Sequence, residues 1–340
     1  MTYYYLENYN LALQDFNEVI KLNPSNSYIF YWRGKIYFEL KNYNIALQDS
    51  NSAIKLNPSK SYNFYLRGRI YHELENYYNA LNDFNEAIKI NPSDANNFCW
   101  RGLTYYELND YNSALYDLNE TIRLDPSNAY NFYWRGMTHY YLESYHNALN
   151  DINEAIKLNP TDAYFFYRRG LTYNILRDYH NALLDFTEAI KITPTDVNFF
   201  YSRGWIYLNL DDYYNALNDF NEAIKLDPTN DRYFYWRGGI HILIGNIENA
   251  ILDYEHALRL NPNNREYQED IRLAKAKLLE NTSSNYLPQK NNTETGKSML
   301  KKLGVWFLEG MINGAVKSIQ HHINNDDNEY YDDNYYDDKY

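Results

Sequence analysis

Residues 61–94 read SYNFYLRGRIYHELENYYNALNDFNEAIKINPSD. Apolar side chains fall at Phe64, Ile70, Tyr71 and Leu74, then at Tyr77, Ala80, Leu81, Phe84, Ala87 and Ile88. Spacings of three, four and seven put each set on one face of a helix, so the stretch predicts two helices, over about 61–74 and 77–90. The polar Glu75-Asn76 pair between them predicts a short antiparallel connection. Pro92 has no N–H and disfavours helix in the residue before it, which ends the second helix, and Ser93 and Asp94 offer N-cap oxygens to the next one.

Outward from this hairpin the pattern repeats without a break. Pro24, Pro58, Pro92, Pro126, Pro160, Pro194, Pro228 and Pro262 stand 34 residues apart, and self-similarity at a fixed period marks a stacked repeat architecture. A glycine recurs inside each first helix, from Gly34 to Gly238, and an alanine inside each second helix, from Ala12 to Ala250. Glycine costs a helix interior about 1 kcal/mol relative to alanine. Its recurrence predicts a close approach of two helices that a larger side chain would block.

With Phe64, Gly68, Tyr71, Ala80, Phe84, Ala87 and Pro92 in one unit, and Phe132, Gly136, Ala148, Ala155 and Pro160 in another, the chain resembles the tetratricopeptide repeat (TPR) family. Departures are mild: Phe replaces the usual Trp at the fourth position, and Val19 and Thr121 replace the second Ala. The resemblance implies an all-α fold, a right-handed α-solenoid of helical hairpins (helix A, then helix B). Units are expected at 27–60, 61–94, 95–128, 129–162, 163–196, 197–230 and 231–264, after a partial repeat at 1–26 that reads either as a gene fragment or as an edge covered by another segment. Residues 265–279 read as a capping helix, with Tyr267, Ile271, Ala274 and Leu278 on one face and charges elsewhere.

Two charged positions also keep the period. Arg33, Arg67, Arg101, Arg135, Arg169, Arg203 and Arg237 precede the glycines, and Asp49, Asp83, Asp117, Asp151, Asp185, Asp219 and Asp253, with Asp15 before them, recur on helix B. Each Arg is expected to meet an Asp of its own or an adjacent unit; an anion-binding ladder is the alternative. In the family resembled, helix A lines the concave surface. Its second and fifth positions here imply a groove carrying Tyr28, Tyr31, Tyr62, Tyr65, Tyr130, Tyr133, Tyr164, Tyr167, Tyr201 and Tyr235, suited to a peptide or helix. The excess of tyrosine also has a bland origin in AT-rich codons. Relatives that hold a chaperone's C-terminal carboxylate use Lys, Arg and Asn at such positions, and here Lys35, Arg69, Arg168 and Arg232 are only scattered among them.

A formal net charge of −13 and the scatter of basic residues argue against nucleic acid. Cys99 is the one cysteine, and the N-terminus lacks a signal-peptide pattern, so a cytoplasmic protein is expected, with the nucleus also open. No catalytic motif, cofactor loop or metal spacing is present; His139 and His241 merely replace a helix A tyrosine, and His321-His322 is a weak metal signal. The expected function is a non-catalytic protein-interaction scaffold. Residues 280–298 read as a linker. The segment 299–323 reads as an amphipathic helix, with Leu300, Leu303, Phe307, Met311, Ala315 and Ile319 in a stripe. Three roles stay open for it: docking on the array, contact with a partner or second copy, or lying on a membrane as a peripheral adaptor. The tail 324–340 carries seven acids and one lysine and reads as a disordered, Tyr-rich solvating segment.

Overall fold

A computed structural model describes residues 9–284 of the chain. The expectations for 299–323 and 324–340, and for the linker beyond Ser284, lie outside the described residues. The chain divides into two compact units, meeting in sequence at Pro160 and Thr161.

The first unit holds nine helices among its described residues: α1 (Tyr9–Leu22), α2 (Ser27–Glu39), α3 (Tyr43–Leu56), α4 (Ser61–Glu73), α5 (Tyr77–Ile90), α6 (Ala95–Glu107), α7 (Tyr111–Leu124), α8 (Ala129–Tyr141) and α9 (Tyr145–Leu158). The second holds seven: α10 (Ala163–Ile175), α11 (Tyr179–Ile192), α12 (Val197–Asn209), α13 (Tyr213–Leu226), α14 (Asp231–Leu243), α15 (Ile247–Leu260) and α16 (Arg265–Ser284). Within each unit the helices pair as hairpins, A with B, and each B helix also packs on the A helix that follows. Helix α16 runs five residues further than the expected 265–279, because no glycine or proline interrupts the sequence before Pro288.

The A-to-B turn has a definite chemistry. Lys41 N–H donates to the Phe38 carbonyl and Asn42 N–H to the Tyr37 carbonyl, at 2.8 and 2.7 Å, the two bonds of a Schellman stop. That stop holds its central residue in the left-handed region. Lys41, Glu75, Asn109, Glu143, Arg177 and Asp211 all have φ of 55–58°, and only the last hairpin places a glycine, Gly245, there. The B-to-A turn divides its labour differently from expectation. Asp94 caps α6, accepting from Asn96 N–H at 3.1 Å, whereas Ser93 does not cap; its N–H and hydroxyl both donate to Asn91 Oδ1.

The helix crossing is as tight as the glycines imply. A Cβ added at Gly170 would lie 2.7 Å from Phe186 Cε1, and at Gly34 3.2 Å from Asp49 Cβ. The facing alanines, Ala46 to Ala250, are fully buried.

Candidate functional site

The arginine preceding each glycine leaves helix A toward its partner helix B. In all seven hairpins its Nε and Nη2 donate to the two carboxylate oxygens of the aspartate 16 residues ahead, from Arg33–Asp49 to Arg237–Asp253, at 2.5–2.9 Å. The aspartates are buried and the arginines half-buried. This fork-to-fork geometry is the strong form of the pair. The bond to Asp49 holds the Arg33 guanidinium above its ordinary pKa, and Asp83 does the same for Arg67.

The third arm of the fork reaches backwards. Nη1 of Arg33, Arg67, Arg101 and Arg135 donates to Asn17, Asn51, Asn85 and Asn119 Oδ1 at 2.6–2.9 Å, each 16 residues behind on the previous B helix. In the second unit Arg203 reaches Thr187 and Arg237 reaches Asn221. The sequence reading missed these asparagines, although Asn recurs two positions after six of the eight ladder aspartates, at 17, 51, 85, 119, 153 and 221. A ring of the fourth position closes the nest: each guanidinium carbon lies 5.5–5.9 Å from a Phe centroid, Phe30 through Phe234. With the Nε and Nη2 fork of every one of the seven arginines engaged by its aspartate, the ladder offers no free fork to an external anion.

The helix A tyrosines do not share one environment, which corrects the expectation of a groove paved with them. Tyr133, Tyr167, Tyr201 and Tyr235 are at most 8 % exposed and belong to the core. The reason lies at the third position of the following helix A. There Phe199 packs on Tyr167, Tyr233 on Tyr201 and Tyr267 on Tyr235, with centroids 4.7–5.4 Å apart. In the first unit that position holds Asn63, Asn97 and Asn131, buried and donating to a carbonyl at the end of the preceding B helix. Asparagine covers less of a neighbouring ring, so Tyr31 and Tyr65 stay partly accessible. Second-position tyrosines remain nearer the surface: Tyr28 is 44 % exposed, and Tyr62, Tyr130 and Tyr164 are half-buried. Tyr164 is engaged through its hydroxyl by Asp196.

Three of the four scattered cations are inside as well, and Arg232 is half-buried. Lys35, Arg69 and Arg168 are buried; the Arg69 guanidinium lies between Phe38 and Trp100, 4.6 and 4.4 Å from the two centroids. They do not form an open carboxylate clamp. Beside them His72 Nδ1 lies 3.0 Å from the Thr104 hydroxyl, which itself donates to the Trp100 carbonyl. Burial, then Arg69, push the His72 pKa down to about 3, so the ring is neutral and donates from Nδ1. Among the described residues no group of His, Cys, Asp and Glu could hold a metal, and no helix is long and apolar enough to cross a membrane.

Comparisons with known proteins agree with this architecture. TPR models match residues 2–41, 68–109 and 102–142 ("TPR repeat"), and 27–60, 133–197, 197–230 and 231–264 ("Tetratricopeptide repeat"). No curated protein matches the chain by sequence. Among solved structures, a chain of the APC/C hetero-tetramer Cut9–Hcn1 aligns with TM-score 0.53 and 15 % identity, over 78 % of this chain and 52 % of that one, so the present chain spans about half its length. A tetratricopeptide repeat protein from Parabacteroides merdae aligns with TM-score 0.52 and 19 % identity, over 77 % and 99 %. The C-terminal part of a TPR repeat-containing protein from Cytophaga hutchinsonii gives 0.51 and 18 %, over 79 % and 97 %. With the 34-residue period, the glycine–alanine crossing and the family models running through both units, the chain belongs to the tetratricopeptide repeat family.

Proposed function

We propose that the protein is a non-catalytic interaction scaffold whose first unit receives an extended peptide or a partner helix on its A-helix face. The observation that carries this reading is the division of labour among the tyrosines. Those needed for packing are buried, while Tyr28, Tyr31, Tyr62 and Tyr65 keep accessible surface on two successive A helices. Their rings lie together, Tyr31 and Tyr62 with centroids 4.7 Å apart. Tyrosine joins a large contact area to a hydroxyl at low entropic cost, which suits a binding surface. The buried state of Lys35, Arg69 and Arg168 argues against capture of a C-terminal carboxylate, so the chaperone co-factor reading is set aside.

The test is selection of peptides from a displayed library on the immobilised full chain, followed by titration with the Tyr62→Ala and Tyr28→Ala variants. Loss of affinity by tenfold or more, with the melting transition unchanged, supports the assignment. Selected peptides that bind these variants as tightly as the parent would refute it.

A further inference from the structure

The end of the second unit contains an arrangement that the repeats do not need. On α16, Asp270 occupies the register where earlier repeats carry Trp32, Trp100, Trp134 and Trp236, and it is 3 % exposed. The Tyr235 hydroxyl of α14 lies 2.9 Å from Asp270 Oδ2 and 3.1 Å from Glu266 Oε1. A phenol carries one hydrogen, so it satisfies one of two ionised carboxylates and leaves the other oxygen-to-oxygen. No cation relieves the conflict: among the described residues neither carboxylate has a Lys or Arg partner.

Every charged neighbour is otherwise committed. On α14, Asp231 accepts from Tyr267 and Arg237 binds Asp253; Arg232, beside Asp231, acts on Tyr267. On α15, Glu255 is paired with Lys275, and the buried Tyr254 hydroxyl has no hydrogen-bond partner. On α16 itself, Glu269 is paired with Arg272. Lys277, further along α16, has Glu280 as its charged neighbour.

One added proton resolves the geometry. A protonated Asp270 donates to the Tyr235 oxygen, and Tyr235 then donates to the exposed Glu266 carboxylate, so all three groups are satisfied at the distances observed. We propose that docking of α16 on the last hairpin is proton-linked, with Asp270 as the latch: a proton at Asp270 closes the cap, and its loss loosens α16 from the apolar side of α14 and α15 that Tyr267, Ile271 and Ala274 cover. Burial, with Glu266 and Glu269 nearby and against the bond from Tyr235, raises Asp270 from the usual carboxylate range to about 6. A group raised on docking contributes its stabilisation below the undocked value, and the contribution is lost as pH rises through about 6.

Hydrogen exchange of the full chain at pH 5 and 7.5, corrected for intrinsic rates, tests the latch. The docking constant changes tenfold per unit of pKa difference, and over this window the protection of amides in 267–275 is expected to fall about tenfold while α12 and α13 hold theirs. Asp270→Asn, whose amide reproduces the donor to Tyr235, should give high protection at both pH values; Glu248→Gln, an exposed carboxylate of α15 that does not act on Asp270, should keep the parent's dependence. Cap protection independent of pH in the parent chain, or an undiminished dependence in Asp270→Asn, would overturn the proposal.

Discussion

At the scale of single residues, the arginine of a hairpin inside a unit joins three helices, as Arg135 does through Asp151 and Asn119, and its partners are not equal. Removing the charge of a buried aspartate strands a guanidinium whose other contacts are neutral, at a cost of about 3–5 kcal/mol for a buried pair. Asp151→Asn, facing Arg135 through two bonds, should therefore destabilise the first unit by a few kcal/mol in urea denaturation. Asn119→Ala removes one neutral acceptor at the more exposed end of the same guanidinium and should cost only about 1 kcal/mol. Equal losses would contradict the hierarchy. His72 supplies a pH signature of opposite sign to that of Asp270. Its pKa is lowered on folding to about 3, so the unfolded chain takes up the proton first, and the stabilisation present above about 6.5 is lost as pH falls toward 3. Comparing the parent with His72→Gln between pH 4.5 and 7 isolates this group. The parent should lose up to about 1.4 kcal/mol more per pH unit below 6, and parallel curves would rule it out.

At the scale of elements, the Schellman stop puts strain where sequence can relieve it. A non-glycine residue in the left-handed region costs roughly 1–2 kcal/mol, and six of the seven A-to-B turns bear that cost. Glu143→Gly should stabilise the first unit by up to about 1 kcal/mol, and Gly245→Ala should destabilise the second by a similar amount, both readable as shifts in denaturation midpoint. The hairpins themselves were legible in the sequence because helix periodicity and proline are local signals: 61–94 placed both helices to within a residue of α4 and α5. Their turn strain was not, since Lys41, Glu75 and Arg177 carry no local mark of positive φ.

At the scale of the whole chain, the two units use one plan with two fasteners. The third position of helix A is asparagine in three repeats of the first unit and aromatic throughout the second. Which tyrosines are accessible follows from this choice one repeat later, and that is why the arginine–aspartate pairing could be read from sequence while the set of accessible tyrosines could not. A residue's exposure depended on a neighbour 32 residues on, as Phe199 covers Tyr167. Tyr167→Ala should cost about 3–5 kcal/mol as a core truncation, whereas Tyr62→Ala should leave stability within about 1 kcal/mol and act on binding alone. A similar loss from both would mean that the accessible ring is structural too.

The arginine's symmetric reach has a consequence for how such a chain can change length. Each guanidinium extends 16 residues forward to an aspartate, and within each unit it also reaches 16 back, to an asparagine from Arg33, Arg67, Arg101, Arg135 and Arg237 and to Thr187 from Arg203, so a block of 34 residues inside a unit contains both halves of the joints it needs at its borders. Copying or excising a whole block leaves complementary surfaces facing each other at the new seam, and a recombination event that respects the period needs no compensating substitution. The last joint differs at both of its partners: Glu255 and Ile271 stand where asparagine and arginine would be, and Lys275 answers Glu255 instead. The array can grow between its ends, and that exchanged pair marks where growth stops.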